Sequence, residues 1–218
     1  MRIDIISIIP EIFYSTFSNS IIQKAINNRL INIKIHDLRK YGLGKRKKVD
    51  DYPYGGGSGM VIRIEPVYQC FYKLLSERNY DEKIFMTPDG TIFNQKYAKS
   101  LTYNKNIIIL CGRYKGIDQR IRDHLISKEI SIGNYILSGG ELAAAVVVEA
   151  VVRLLPGVIK NKNSIITDSF QKKEYFIAPP IYTRPKIYKG WSVPKILLSG
   201  NHKKIKDWLN QKAIQFKK

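Results

Sequence analysis

The order of apolar and polar segments predicts an α/β fold with a mostly parallel sheet. Three observations carry that expectation. Strand-like and helix-like segments alternate, the strand-like runs are nearly all apolar as in sheets covered on both faces, and three of them lead into glycine-bearing loops.

In chain order, residues 3–9 read as an apolar strand, and Pro10 with Glu11 opens a helix. Residues 21–29 are helical, and Ile31, Ile33 and Ile35 alternate as in a half-buried strand. A long loop over 38–60 follows. Next come a helix over 66–78, a strand over 83–87, a helix over 94–102 and a strand over 106–111. Residues 129–153 are a β-type run that breaks on glycines and opens a helix, which Pro156 and Gly157 end. Ser138 and Glu141 have capping-box spacing, which puts Gly139 and Gly140 in the first helical turn. A glycine there costs roughly 1 kcal/mol relative to alanine, tolerable where backbone must approach a ligand or another segment closely. The stretch therefore reads as a site. Residues 160–169 are polar and poor in core residues, as in a linker. Beyond them, Pro179, Pro180, Pro185 and Pro194 punctuate a small basic module whose clearest helix runs over 203–216.

At 218 residues the chain is one large or two small domains. It holds no run of about 18 apolar residues, so no membrane span is expected. Asp4 interrupts the segment where a signal peptide would continue apolar, which makes the cytoplasm the expected compartment. Cys70 and Cys111 lie in apolar segments and are expected to be buried free thiols. His36, His124 and His202 lack metal-ligand spacing, so no structural zinc is expected.

The formal charge of +19 points to a polyanionic partner. Compositional drift toward lysine would scatter that charge, whereas here it clusters. Arg39, Lys40, Lys45, Arg46, Lys47 and Lys48 crowd one glycine-containing loop, and residues 184–218 carry ten Lys and Arg against the single acid Asp207. Clustering favours nucleic acid over a generic solvated surface. Lys203, Lys204, Lys206 and Lys212 suit phosphate contacts, while Arg184, Tyr182, Tyr188 and Trp191 suit stacking on unpaired bases. Core packing is the commoner fate of a tryptophan.

Ligands of open parallel sheets bind beyond the carboxyl ends of strands. Three loops fit: Thr87 to Gly90, Cys111 to Gly116, and Ile132 to Gly140. None carries Gly-Lys-Ser/Thr, and Gly55-Gly56-Gly57-Ser58-Gly59-Met60 matches neither the P-loop nor the dinucleotide fingerprint. A nucleotide-phosphate site is not supported.

Six segments, in order and spanning nearly the whole chain, stand out: residues 49–60 (Val49-Asp50-Asp51-Tyr52-Pro53-Tyr54 and the glycine run to Met60), 110–118, 131–142, Asp168-Ser169-Phe170, Tyr182-Thr183-Arg184-Pro185 and Leu198-Ser199-Gly200-Asn201-His202. Together they resemble the bacterial tRNA (guanine-N1)-methyltransferase family of SPOUT knotted methyltransferases. The resemblance implies a methyltransferase domain over 1–158 whose C-terminal trefoil knot forms the cofactor site, an exception to unthreaded chains. It also implies a linker over 159–173, a shortened, mainly helical tRNA-binding domain over 174–218, and a homodimer. The implied substrate is tRNA with a guanosine 3′ of the anticodon, at position 37, preceded by guanosine. S-adenosylmethionine is implied at Pro88, Gly112, Tyr114, Ser131, Ile132, Gly133, Asn134, Tyr135, Ile136 and Leu137, with Gly139 and Gly140 beside it. Small residues and open main chain suit adenine, which offers a flat uncharged face and a readable edge.

Guanine N1 carries a proton at neutral pH, so methyl transfer needs a base there and a cation or donor at O6. The resemblance assigns the base to Asp168 and the charge stabilisation or positioning to Arg153. By residue pattern alone, Asp168 reads equally as a solvated loop acid or helix cap, and Arg153 as a complement to its helix dipole. Asp50 and Tyr54 resemble the family's anticodon-loop contacts. Departures from the family pattern include Phe85, Ala143 and Arg46. Lys115 and Asn134 stand where acids are usual, which removes negative charge that could hold the donor's amino group or a magnesium ion. The chain also stops at Lys218, short of a final helical stretch, so RNA binding is expected to lean on lysine charge and to weaken steeply with salt. A ribosomal-RNA methyltransferase of the same group, or a catalytically inert RNA-binding protein, would share many of these features.

Overall fold

The computed structural model describes residues 1–161, 166–171 and 176–215. The chain divides into two compact units, Met1–Lys160 and Asn161–Lys218.

In the first unit the elements run β1 (Arg2–Ser7), α1 (Glu11–Phe17), α2 (Ser20–Asn27), β2 (Asn32–Asp37), a 3-10 turn (Leu38–Tyr41), β3 (Asp50–Asp51), β4 (Val61–Ile62) and α3 (Ile64–Glu77). They continue with β5 (Glu82–Ile92), α4 (Gln95–Leu101), β6 (Asn106–Cys111), α5 (Gln119–Leu125), β7 (Lys128–Ser131) and α6 (Glu141–Val152). Five strands form one parallel sheet in the order β2-β1-β6-β5-β7. Alternate residues of each strand feed opposite faces, as the period of two requires. Ile107, Ile109 and Cys111 of β6 pack with α1, α2, α4 and α6, whereas Ile108 and Leu110 pack with α3 and α5. Both cysteines are buried free thiols. Burial pushes the Cys70 thiol up to about 12.

Three local expectations differ from the structure. The helix expected to open on Ser138 starts at Glu141, with Gly140 as its N-cap and no side-chain cap. Glu141 turns instead to Ser7 and Arg113, since a carboxylate buried at this position must be bonded and paired. The strand expected over 83–87 runs on to Ile92 through an irregularity between Met86 and Thr91, after which Thr91 pairs with Ile130 and Ile92 with Ser131. Pro88 lacks the N–H a ladder needs, and a Cβ on Gly90 would lie 2.6 Å from the carbonyl carbon of Glu129, so the strand bulges there and resumes. Tyr135 and Leu137 belong to no strand, because β7 stops at Ser131. α5 was not expected: only Ile121 of its seven residues is buried, too little apolar content to show a period.

The second unit holds β8 (Phe176–Ile177), β9 (Ile187–Tyr188), β10 (Trp191–Ser192), a 3-10 turn (Lys195–Leu198), α7 (His202–Lys212) and β11 (Ile214–Gln215). β9 and β10 form a hairpin, and β11 pairs with β8. α7 is capped by Asn201, whose side chain accepts the Lys204 N–H at 3.1 Å. It ends at Lys212, four residues before the expected end at Phe216, which lies outside the described residues. Residues 162–165 and 172–173 of the expected linker also lie outside them.

Candidate active-site cleft

The carboxyl ends of β5, β6 and β7 converge on a cleft of about 830 Å3, large enough for a ligand of nucleoside size. Glycine makes the convergence possible. A Cβ on Gly140 would lie 3.0 Å from the Met86 Cβ and 3.1 Å from the Gly112 nitrogen, and one on Gly112 would lie 2.9 Å from the Phe85 ring. The Gly140 N–H donates to the Gly112 carbonyl at 2.8 Å, and Arg113 bridges to Gly139, so the segment entering α6 is laced to the loop after β6. Tyr114 adopts a left-handed backbone with φ of 60°, which turns that loop back over the cleft.

Pro88, Gly112, Tyr114, Ser131, Ile132, Gly133, Tyr135, Ile136, Leu137, Gly139 and Gly140 all line the cleft. Asn134 is exposed and is not among its lining residues. Ser131 holds the turn open: its hydroxyl donates to the Gly133 carbonyl at 3.1 Å and accepts the Gly133 N–H at 3.2 Å. Ile117, Ile130, Ile132, Leu137 and Ala143 supply an apolar lining with main chain between them.

Two polar networks frame the cleft, and sequence patterns revealed neither. Arg122 donates to Glu129 at 2.8 and 2.6 Å and to Asp89 at 2.7 Å, while the Thr87 hydroxyl also bonds Asp89. The Thr87 contact, then Arg122, holds the Asp89 carboxyl below its usual range. The Glu129 contact raises Arg122 further above its ordinary value. On the other side, Glu141 accepts the Ser7 hydroxyl at 2.9 Å and pairs with Arg113 at 3.4 Å. Burial first, and the Glu141 charge next, raises the adjoining Cys111 thiol well above its ordinary value. No local pattern marks these networks, because Asp89 and Glu141 meet partners 33 and 134 residues away in the chain.

The remaining site residues are distributed. Asp50 lies in β3, paired with Ile62, and Tyr54 is fully exposed at the tip that follows. The Lys115 N–H donates to Met60 and the Ile62 N–H to Gly116, both at 3.0 Å, so this hairpin adjoins the loop that covers the cleft. Arg153 is the C-cap of α6. Twelve residues of helix, about 18 Å, separate it from the cleft end of that element. In the second unit, Asp168 is half-buried, and Arg184, Lys203 and Lys204 are exposed. Among the described residues, no group of three His, Cys, Asp or Glu side chains is placed to hold a metal ion, and no helix is long and apolar enough to cross a membrane.

A parallel sheet with a glycine-lined, apolar-walled cleft at its strand carboxyl ends defines the class, an α/β protein with its open pocket where such sheets hold ligands. The family follows from its relatives. The chain belongs to the tRNA (guanine-1)-methyltransferase (TrmD) family, whose model matches residues 1–217. It is 55% identical over 215 residues to the tRNA (guanine-N(1)-)-methyltransferase of Christiangramia forsetii, covering 99% of this chain and 94% of that one. It is 56% identical to the enzyme of that name from Azobacteroides pseudotrichonymphae, over 98% and 96% of the two chains. The crystal structure of tRNA (m1G37) methyltransferase from Aquifex aeolicus superposes with a TM-score of 0.80 at 36% identity, over 95% of this chain and 87% of that one.

Proposed function

We propose that this chain transfers a methyl group from S-adenosylmethionine to N1 of the guanosine 3′ of the anticodon, position 37, in tRNA. The observation that carries the reading is the cleft itself, whose lining takes in eleven of the twelve positions that family resemblance marks for the donor. The close approach of Gly112 and Gly140 leaves a cradle that side chains would fill, which suits an adenosine held between backbone segments. When bound, S-adenosylmethionine supplies an activated methyl group on sulfur.

The protein's task is then positioning and proton removal. Asp168 takes the proton from guanine N1, and Arg153 faces the charge that builds on O6. Arg153 lies at the far end of α6 from the cleft of its own chain, and Leu142 and Val146 leave an apolar stripe exposed along that helix. Both features support a homodimer in which the site is completed by a second copy. The lacing of Gly139 and Gly140 to Arg113 and Gly112 supports a threaded, trefoil-knotted methyltransferase domain over 1–158, with 159–173 as linker and 174–218 as the tRNA-binding part. Asp50 and Tyr54 contact the anticodon loop, Arg184 a base, and Lys203 and Lys204 phosphates. The reading places the enzyme in the cytoplasm, where tRNA is made. No magnesium ligand is assigned.

The test is methylation of a full tRNA and of the same tRNA with the guanosine at position 37 replaced, mapped by mass. One methyl group on the first transcript and none on the second is expected, with Asp168→Asn lowering turnover at least a hundredfold at unchanged Tm. Equal methylation of both transcripts, or an undiminished D168N enzyme, overturns the reading.

A further inference from the structure

We propose that Arg113 binds the α-carboxylate of the methyl donor and that Glu141 is the positioning residue that aims it. The inference rests on the donor reading above. Arg113 lines the cleft with its side chain 22% exposed. Its Nε lies 3.4 Å from both Glu141 carboxylate oxygens, and neither of its Nη atoms donates to another described residue. Glu141 is the first residue of α6, its side chain only 2% exposed, and it accepts the Ser7 hydroxyl at 2.9 Å. The Ser7 oxygen accepts the Ile9 N–H, also at 2.9 Å. One chain of bonds thus ties the end of β1, the start of α6 and the loop after β6 to a single guanidinium.

A carboxylate buried this deeply needs a matched cation, so the pair fixes Arg113 rather than merely meeting it. The contact uses the Nε side. Among the described residues, the edge carrying both Nη atoms is left without an acceptor, and its parallel N–H groups fit the two oxygens of a carboxylate. The other cations of the cleft are less suited. Arg122 is already bonded to Asp89 and Glu129, and Lys115 is an exposed point charge on a flexible stem. Gly139 belongs to the same device. A Cβ there would land on the Glu141 carboxylate and lie 2.8 Å from the Arg113 Cγ and Nε. Its lack of a side chain makes room for the ion pair, whatever it also offers the adenosine.

The experiment compares two ligands by isothermal titration: S-adenosylhomocysteine, and its decarboxylated analogue, which keeps the adenosine and the amine and lacks only the carboxylate. The unsubstituted protein should prefer S-adenosylhomocysteine by tenfold to a hundredfold. In Arg113→Gln that preference should collapse to within about threefold, with the analogue bound as before. Glu141→Gln keeps the bond to Ser7 but loses the charge, and should erode the preference about threefold to tenfold. Equal loss of both ligands in R113Q makes Arg113 structural and overturns the proposal. So does an unchanged preference, or a fall in tRNA affinity with donor affinity intact, which would assign Arg113 to RNA phosphate. An E141Q protein of lower Tm but intact preference removes the positioning role. If the unsubstituted protein binds neither compound, the donor reading itself fails, an outcome distinct from the others.

Discussion

The two units of the chain are stabilised and charged in opposite ways. Every fully buried side chain among the described residues lies in Met1–Lys160, while the second unit contains none. In compensation of charge the order reverses. Residues 161–218 hold 13 Lys and Arg against three Asp and Glu, whereas residues 1–160 hold 24 against 15. The first unit buries its apolar residues on both faces of a sheet and pairs its internal charges. The second spends its residues on exposed basic and aromatic surface. A domain that must hold a small cleft rigid needs the former, and one that meets a polyanion needs the latter.

The largest expected effect breaks the first unit at its buried charge. Asp4 is fully buried and accepts from Arg2 at 2.7 and 2.8 Å and from Tyr80 at 2.9 Å, with His36 Nε2 at 2.7 Å. Burial alone would raise its carboxyl, but bonds from His36, Arg2 and Tyr80 outweigh that and hold it down at about 2. Because the folded value is depressed, the stabilisation is complete above the ordinary carboxylate range near pH 4 and is lost as pH falls through about 2. Asp4→Asn should cost about 3 to 5 kcal/mol at neutral pH, by removing the buried charge that Arg2 pairs with and turning one acceptor into a donor, and should flatten this acid limb. Urea unfolding between pH 2 and 7 measures both. A D4N protein as stable as the parent would show that the first unit does not depend on pairing its internal charge.

A smaller effect tests the second unit. Lys203 and Lys204 are exposed at the start of α7, and no ion pair involves them among the described residues. Replacing both with alanine should weaken tRNA binding about tenfold at low salt and reduce the slope of log K against log salt by about 2, at unchanged Tm. Filter binding across a salt series reads both. An unaltered slope would mean that this charge meets no phosphate.

What was legible in the sequence follows the same division. The parallel sheet showed because Ile3, Ile5, Ile33, Ile35 and the run from Ile107 to Leu110 carry strand periodicity in their own residues. The cleft loops showed because close backbone approach leaves glycine behind, as at Gly112 and Gly140. Hidden were features decided by distant partners. Ser138 and Glu141 fit a local cap, but the Glu141 side chain answers to Ser7 and Arg113, which no window of a dozen residues contains. Nothing local marks Arg122, which the fold sets between Asp89 and Glu129. In the second unit, the turn Lys189-Gly190, with φ of 47° and 83°, closes the hairpin of β9 and β10 in the left-handed manner such two-residue loops favour. Lysine at the first turn position is a weak signal, so the residues do not announce the hairpin.

That hairpin supplies the smallest expected effect. Trp191 stands opposite Tyr188, ring centroids 6.4 Å apart, yet it is 75% exposed. A tryptophan ordinarily buries a large area, and a core tryptophan cut to alanine costs about 3 to 5 kcal/mol. Here only the cross-strand contact is lost. Trp191→Ala should therefore lower unfolding free energy by about 0.5 kcal/mol, the scale of one such pair. Chemical denaturation resolves the difference, since the two alternatives lie several-fold apart. A loss above about 2 kcal/mol would mean that the indole is covered in the folded protein, and the contrast between a unit with a core and a unit without one would fall with it.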